Sequence, residues 1–122
     1  MQPLNVVLLQ SDPGAVKSLV ASLDKSFRSV RQAPSLSDLR NYLAEHPGGI
    51  VILDMEIASV FDVRHLSHDF PNARIICNHR LADEEMWTAA LNAGAADCCP
   101  SNDTPGILRT ALQTQTASRM AA

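Results

Sequence analysis

The stretch "GGIVILDMEI", from Gly48 to Ile57, contains the residues that decide the fold. Four aliphatic residues, Ile50 to Leu53, follow two glycines and lead directly into Asp54. A short, unbroken apolar run bounded by turn residues is typical of a strand that is buried on both faces. The stretch therefore predicts a central strand that places the carboxylate of Asp54 at its C-terminal end.

Four more strand-like segments lie on either side of this one. Apolar runs at Asn5–Leu9 and Ala73–Asn78 predict two further buried strands. The shorter segments at 28–33 and 96–99 predict an edge strand and a last strand. The five strands are separated by segments in which apolar residues recur at helical spacing.

Five helices are predicted from that spacing. Asp12 and Pro13 suit the N-cap and first position of the first helix, and Gly94 suits the end of the fourth. The residues expected to pack against the sheet are Phe61, Leu66 and Phe70 in the third helix, and Ile107, Leu108, Ala111 and Leu112 in the fifth. Alternating strands and helices with short connections predict an α/β fold with a doubly wound parallel sheet.

The composition limits the classes of function. The chain has 122 residues and a net charge of −3, which predicts one domain over residues 1–122 with no general attraction for nucleic acid. Its apolar runs are too short to span a membrane, and no secretory signal opens the chain. Three cysteines without a zinc-ligand spacing fit reduced thiols, so a cytoplasmic location is expected; they are Cys77, Cys98 and Cys99.

Polar residues follow the predicted strands where each strand ends. In a doubly wound sheet the functional crevice lies beyond the carboxyl ends of the strands. We therefore expect one pocket to collect the residues at those ends, which are Gln10, Ser11, Asp12, Asp54, Asn78, His79 and Ser101.

Four segments, taken in order, give the chain a recognisable pattern. The series "VVLLQSDP", "VILDME", "RIICNH" and "NAGAADCCPSN" resembles the receiver domain of bacterial response regulators, over Asn5 to about Leu112. The resemblance implies a flavodoxin-like, three-layer α/β/α fold with strand order 2-1-3-4-5. It also implies a non-enzymatic regulatory role in two-component phosphorelay signalling, with Asp54 at the position of the phospho-acceptor.

The chain departs from the family at the other site positions. Gln10 and Ser11 stand where the family has an acidic pair for Mg²⁺, and Asn78 stands where it has Thr or Ser. Ser101 replaces a lysine that neutralises the phosphoryl group, and Cys98 replaces an aromatic residue that rotates on activation. Because phosphoryl transfer depends mainly on charge neutralisation and positioning, we expect a degenerate receiver without Mg²⁺, any other metal or a cofactor.

Asp54 has two interpretations. It is either a phospho-acceptor or an inherited carboxylate that backbone amides of neighbouring loops satisfy. The fold is expected to survive its removal, which is stabilising if the carboxylate is unpaired and crowded among dipoles. Asp12 or Arg80 at the rim offers partial compensation for the lost charges, although an N-cap role explains Asp12 more simply. The other polar residues either bind an anion or a small ligand or hydrogen-bond to one another; they are Ser11, Asn78 and Ser101.

The family's common contact face consists of the fourth helix, fifth strand and fifth helix. Here Trp87 and Leu91 mark it, with Trp87 either a partner anchor or half-buried core. We expect a protein partner there: an output domain, a kinase or a second copy. Receiver domains often form the N-terminal part of a longer transcription regulator, and the chain is compatible with that arrangement and with a single-domain adaptor.

Two alternatives stay open. The first is a conventional phospho-accepting receiver. The second is a flavodoxin-like cofactor carrier or thiol redox module, for which "QSDPGAV" offers little phosphate-binding chemistry. The cysteines with His79 permit a soft-metal site or an oxidant sensor, but Cys98 and Cys99 are adjacent on a strand and point to opposite faces, so packing explains them better. His65 and His68 are expected to lie on a solvated helix face.

Overall fold

Strands and helices alternate strictly along the computed structural model, which describes residues 4–121 and the side chains of residues 4–114. The elements in chain order are β1 (Asn5–Leu9), α1 (Pro13–Leu23), β2 (Ser29–Gln32), α2 (Leu36–Glu45), β3 (Ile50–Asp54), α3 (Val60–Asp69), β4 (Arg74–His79), α4 (Glu84–Ala93), β5 (Asp97–Pro100) and α5 (Thr104–Ala121). The predicted series of elements is confirmed, and α5 runs on past the last residue of its predicted apolar face.

The five strands form one parallel sheet in the order β2-β1-β3-β4-β5. The predicted flavodoxin-like topology is thereby confirmed, with β3 at the centre and β2 at an edge. Leu9 pairs with Leu53, and Asp54 pairs with Asn78, so that β1, β3 and β4 end at the same edge of the sheet. This register gathers the side chains that follow those strands.

Both faces of the sheet are covered, which explains why β3 is apolar throughout. One face packs against α2, α3 and α4 and includes Val7, Leu9, Val51 and Leu53. The other packs against α1 and α5 and includes Val6, Leu8, Ile50 and Ile52. All five residues of β3 are buried, as are the last four of β1. Burial of this apolar surface is the main force that holds the three layers together.

The helix ends predicted from the sequence are also present. The Asp12 side chain accepts a hydrogen bond from the Gly14 amide at 2.9 Å, which is the N-cap contact of α1. Gly94 ends α4 in the left-handed region, with φ of 116°, where a side chain would be strained. A Cβ at this position would also meet the Ser67 side chain within 3 Å.

Two predicted core residues are exposed instead. Phe61 is 67% exposed, because it lies on the side of α3 opposite to the buried Val63 and Leu66. Leu112 is 36% exposed, whereas Ile107 and Ala111 carry the contact between α5 and the sheet. In the described part of the chain, no helix is long and apolar enough to cross a membrane.

Candidate functional site

A polar cavity of about 490 Å³ lies beyond the carboxyl ends of the strands. Its lining includes Gln10, Ser11, Asp12, Asp54, Glu56, Arg80, Ser101 and Asn102. Asn78 lies behind this lining, buried and bonded to two of its members. The structure thus brings together the polar strand-end residues, apart from His79, whose ring nitrogen accepts a hydrogen bond from the Leu81 amide in the next loop.

Asp54 is buried, with 3% of its surface exposed, and both carboxylate oxygens are occupied. One oxygen accepts hydrogen bonds from the Ser11 amide at 2.9 Å and the Ser11 hydroxyl at 2.6 Å. The other accepts from the Glu56 amide at 2.9 Å. The condition for its removal to be stabilising, an unpaired carboxylate, is therefore not met. The cause is Ser11, which supplies two donors at a position where the family places a carboxylate.

Gln10 and Asn78 form a reciprocal amide pair beside Asp54. The Gln10 amide nitrogen donates to the Asn78 side-chain oxygen at 2.7 Å, and the Asn78 nitrogen donates back to Gln10 at 3.1 Å. Gln10 also donates to the Ile52 carbonyl at 3.2 Å, and Asn78 donates to the Ser101 hydroxyl at 2.9 Å. Three family-site positions are thereby joined into one neutral network across β1, β4 and the end of β5.

The charged residues at the rim are engaged elsewhere. The Arg80 guanidinium pairs with the Glu56 carboxylate at 2.9 Å and is 76% exposed, so it does not take the place of the missing lysine beside Asp54. Asp12 caps α1 through its contact with the Gly14 amide. Neither residue therefore compensates for the charged side chains that are missing around Asp54.

The receiver-like arrangement raises the question of Mg²⁺, and the residues present do not fit it. Mg²⁺ takes oxygen ligands in near-octahedral geometry and is usually held by carboxylates. At the first-strand positions the chain offers an amide that is already paired and a hydroxyl that donates to Asp54. Among the described residues, no three His, Cys, Asp or Glu side chains are grouped to hold a metal ion.

The cysteines are buried thiols that lie on both sides of the sheet. Cys77 and Cys98 belong to the core under α2, α3 and α4, whereas Cys99 belongs to the core under α1 and α5. Burial raises the pKa of Cys77 to about 12 and that of Cys98 to about 11, and it raises the pKa of Cys99 as well. Protonated, inaccessible thiols are poor nucleophiles and poor metal ligands, which weighs against the thiol redox alternative.

On the face formed by α4, β5 and α5, the Asp97 carboxylate accepts hydrogen bonds from all three elements. The Trp87 indole donates to the Asp97 carboxylate at 3.0 Å, and that carboxylate also accepts from the Cys98 amide and the Thr110 hydroxyl. Trp87 is 44% exposed, and Leu91 is half-buried. Asp97 therefore fastens one helix from each side of the sheet to β5. No sequence pattern predicts this role, because the three donors lie on three separate elements.

The remaining predicted positions are unremarkable in their surroundings. Cys98 is 7% exposed and packs in the core, so it is a small buried side chain at the position where the family has a mobile aromatic residue. His65 and His68 are both exposed on α3, as expected for a solvated face.

Solved structures that are similar to this chain include response regulators and receiver domains. A response regulator from Thermotoga maritima has a TM-score of 0.85 at 16% identity, with 95% of this chain and 99% of that chain covered. CheY from Borrelia burgdorferi, in a complex with CheX, BeF3 and Mg²⁺, has a TM-score of 0.78 at 21% identity, with 93% and 90% covered. RcsB from Salmonella typhimurium has a TM-score of 0.82 at 18% identity, with 96% and 61% covered.

These similarities show that the chain has the receiver-domain fold, as the order of its strands also indicates. No protein-family model and no curated protein matches the chain.

Proposed function

We propose that this chain is a regulatory signalling domain of the receiver type that acts by protein contact rather than by phosphorylation of Asp54. The fold supports the general class. The single observation that carries the proposal is the Gln10–Asn78–Ser101 network beside a carboxylate whose two oxygens are occupied.

The state of Asp54 argues against an efficient phospho-acceptor. Only a lone pair that is not already engaged can attack a phosphorus atom, and Ser11 and Glu56 take three of the roughly four acceptor sites of the Asp54 carboxylate. The product would be an acyl phosphate with nearly two negative charges. The side chains bonded around Asp54 are amides and hydroxyls, and the cation in the cavity lining, Arg80, is paired with Glu56. Each missing charge-stabilising contact costs on the order of 10²-fold or more in rate.

The network also removes the side-chain movements by which phosphorylation of Asp54 would change the conformation of the contact face. In the family, a hydroxyl after the fourth strand moves together with an aromatic residue on the fifth. Here Asn78 is fixed by Gln10 and Ser101, and Cys98 is a small side chain within the core. A ligand shifts a conformational equilibrium only through contacts that differ between the two states. We infer that the face of α4, β5 and α5 contacts its partner in a single conformation that does not depend on phosphorylation. The contact needs neither Mg²⁺ nor another cofactor, and the domain has no catalytic role. We further propose that the domain is cytoplasmic and does not itself contact nucleic acid.

The proposal is tested by restoring the missing charges. A variant with Gln10→Asp, Ser11→Asp and Ser101→Lys regains both acidic positions and the cation. Mixed with a small acyl-phosphate donor and Mg²⁺, this variant is expected to gain a phosphoryl group that intact-protein mass spectrometry detects, while the unmodified chain gains none.

The matched control adds Asp54→Asn to the restored variant and is expected to abolish the gain. Stable phosphorylation of the unmodified chain at Asp54 under the same conditions would overturn the proposal and favour a conventional receiver.

A further inference from the structure

The loop before α4 and the first turns of that helix present an unusual combination of side chains, which we call the α4 surface. It consists of Leu81, Asp83, Glu84, Glu85, Trp87 and Leu91. Leu81 is 68% exposed and Trp87 is 44% exposed, although both are large and apolar. Exposed apolar side chains grouped within one segment are typical of contact surfaces.

The charge of this surface has one sign only. From Leu81 to Asp97 the sequence has four acidic residues and no Lys, Arg or His. Within residues 4–114, the ion pairs do not involve Asp83, Glu84 or Glu85. Their carboxylates line a shallow groove along α4 together with Thr88, Ala89 and Asn92. The acidic side chains suit the N-terminus of the helix dipole, but they also leave the groove with a net negative charge that nothing in this part of the chain balances.

Hydrogen bonds hold the backbone at Leu81 and the ring of Trp87 in place before any partner binds. The Leu81 amide donates to the His79 ring at 2.9 Å, and the Leu81 carbonyl accepts from the Asp83 amide at 2.7 Å, which fixes the turn of the loop. The Trp87 ring is tied to Asp97 by its indole nitrogen. Anchors that are already ordered lose less conformational entropy on binding, and Trp is among the residues that contribute most to contacts between proteins.

We propose that the α4 surface binds a basic amphipathic helix of a partner protein, whose apolar side chains contact Leu81 and Trp87 and whose Lys or Arg residues face Glu84 and Glu85. This inference rests on the proposed function, because it names the chemistry of the partner that the domain contacts. Contact through the apolar side of an amphipathic helix is a common mode of recognition. The acidic groove lies on the same helix as Trp87 but does not include Trp87 or Leu81, and it selects the charge of the polar side of the partner helix.

A second copy of the chain fits the α4 surface less well. A two-fold contact through α4 places the same three carboxylates of each copy opposite one another, which is repulsive. On α5, Arg109 is the basic residue whose side chain the structure describes, and one guanidinium per copy does not balance them.

A designed helical peptide tests the proposal, with Leu at helical spacing and Lys at the other positions. The intact chain is expected to bind it saturably, with changes in Trp87 fluorescence and in the amide NMR shifts of residues 81–91. The same peptide with Glu in place of Lys is expected not to bind. Neutralising Glu84→Gln and Glu85→Gln together should weaken binding about fivefold, as the loss of two exposed charge contacts implies.

The matched control is Asp24→Asn with Glu45→Gln, which removes the same charge from exposed residues at the ends of α1 and α2. It should leave the affinity within about twofold. Equal weakening by both double variants, binding away from residues 81–91, or absence of binding both with and without beryllofluoride would each overturn the inference. So would a dimer, measured by sedimentation, that the Glu84 and Glu85 substitutions strengthen or weaken.

Repeating the titration with beryllofluoride and Mg²⁺ separates the two proposals. Peptide binding that occurs only with beryllofluoride would contradict the proposed function and leave the partner chemistry standing. Absence of binding in both conditions would contradict the partner chemistry alone.

Discussion

The crevice at the strand ends and the α4 surface both carry carboxylates, but the structure surrounds them in opposite ways. Asp54 is buried and accepts three hydrogen bonds from Ser11 and Glu56. Glu84 and Glu85 are exposed, and no described basic residue pairs with them. A buried carboxylate that already accepts three hydrogen bonds within the protein has few acceptor sites left for a ligand, whereas an exposed pair of carboxylates without basic partners remains available to a partner protein.

The comparison also separates stability from recognition. The polar groups of the crevice are enclosed in a neutral network, and no buried side-chain nitrogen or oxygen in the described part of the chain lacks a hydrogen-bond partner. Such a network stabilises the fold only while it is complete. Substitutions in the crevice should therefore change the free energy of unfolding, and conservative substitutions on the α4 surface should change binding instead.

Asn78→Leu is expected to have the largest effect. It removes hydrogen-bonding partners from the buried Gln10 amide and from the Ser101 hydroxyl. Buried polar groups that lose their partners cost the full penalty of desolvation, so the free energy of unfolding in urea should fall by about 3 kcal/mol. The control is Asn92→Leu on the exposed side of α4, which should change it by less than about 0.5 kcal/mol. Similar results for the two variants would show that the amide network contributes little.

Asp54→Ala is expected to have the next largest effect. The substitution leaves the Ser11 and Glu56 donors without their acceptor, although water reaches Ser11 because that residue is exposed. The free energy of unfolding should fall by roughly 1–2 kcal/mol. Asp54→Asn keeps one acceptor oxygen and should cost less. An increase in stability on Asp54→Ala would mean that the carboxylate is repelled by its surroundings, despite its three donors.

A smaller effect is expected at alkaline pH, through Cys77. Burial raises the pKa of the Cys77 thiol from 9.0 to about 12. At pH values between these two, the thiol therefore binds fewer protons in the unfolded chain than in the folded one. The corresponding stability is present below about pH 9 and is lost as the pH rises, by up to about 1.4 kcal/mol per pH unit.

The measurement compares urea unfolding of the unmodified chain and of Cys77→Ala from about pH 8 to about pH 10. At about pH 8 the variant should be less stable, because the thiol fills space in the core. As the pH rises to about 10, the difference in the free energy of unfolding between the two proteins should decrease by about 1 kcal/mol. Curves that stay parallel would show that the Cys77 thiolate is tolerated in the folded state.

Most of the fold was predictable because each element has a strong local pattern. The apolar run of β3, the Asp12 cap and the Gly94 helix end each depend on residues close together in sequence. The errors came from helices with few apolar residues. Phe61 precedes Val63 by two positions, and only the packing of α3 on the sheet shows which of them is buried.

The residues of the crevice could be predicted from the sequence, but the hydrogen bonds between them could not. The residues at the strand ends follow from the topology, since parallel strands end at one edge. The pairing of Gln10 with Asn78 joins residues 68 positions apart, and it depends on the register of β1, β3 and β4. The contacts of Asp97 with Trp87 and Thr110 likewise depend on how two helices on opposite faces meet β5.

Titration with beryllofluoride in the presence of Mg²⁺, followed by Trp87 fluorescence, tests most directly whether the crevice and the contact face are uncoupled. Trp87 lies on that face and is bonded to Asp97 on β5, so a rearrangement there would change its emission. If the two regions are uncoupled, no saturable change is expected, and the unmodified chain and Asp54→Asn should give the same spectrum. A dose-dependent change in the unmodified chain that disappears in Asp54→Asn would show that they are coupled and identify Asp54 as a working phospho-acceptor.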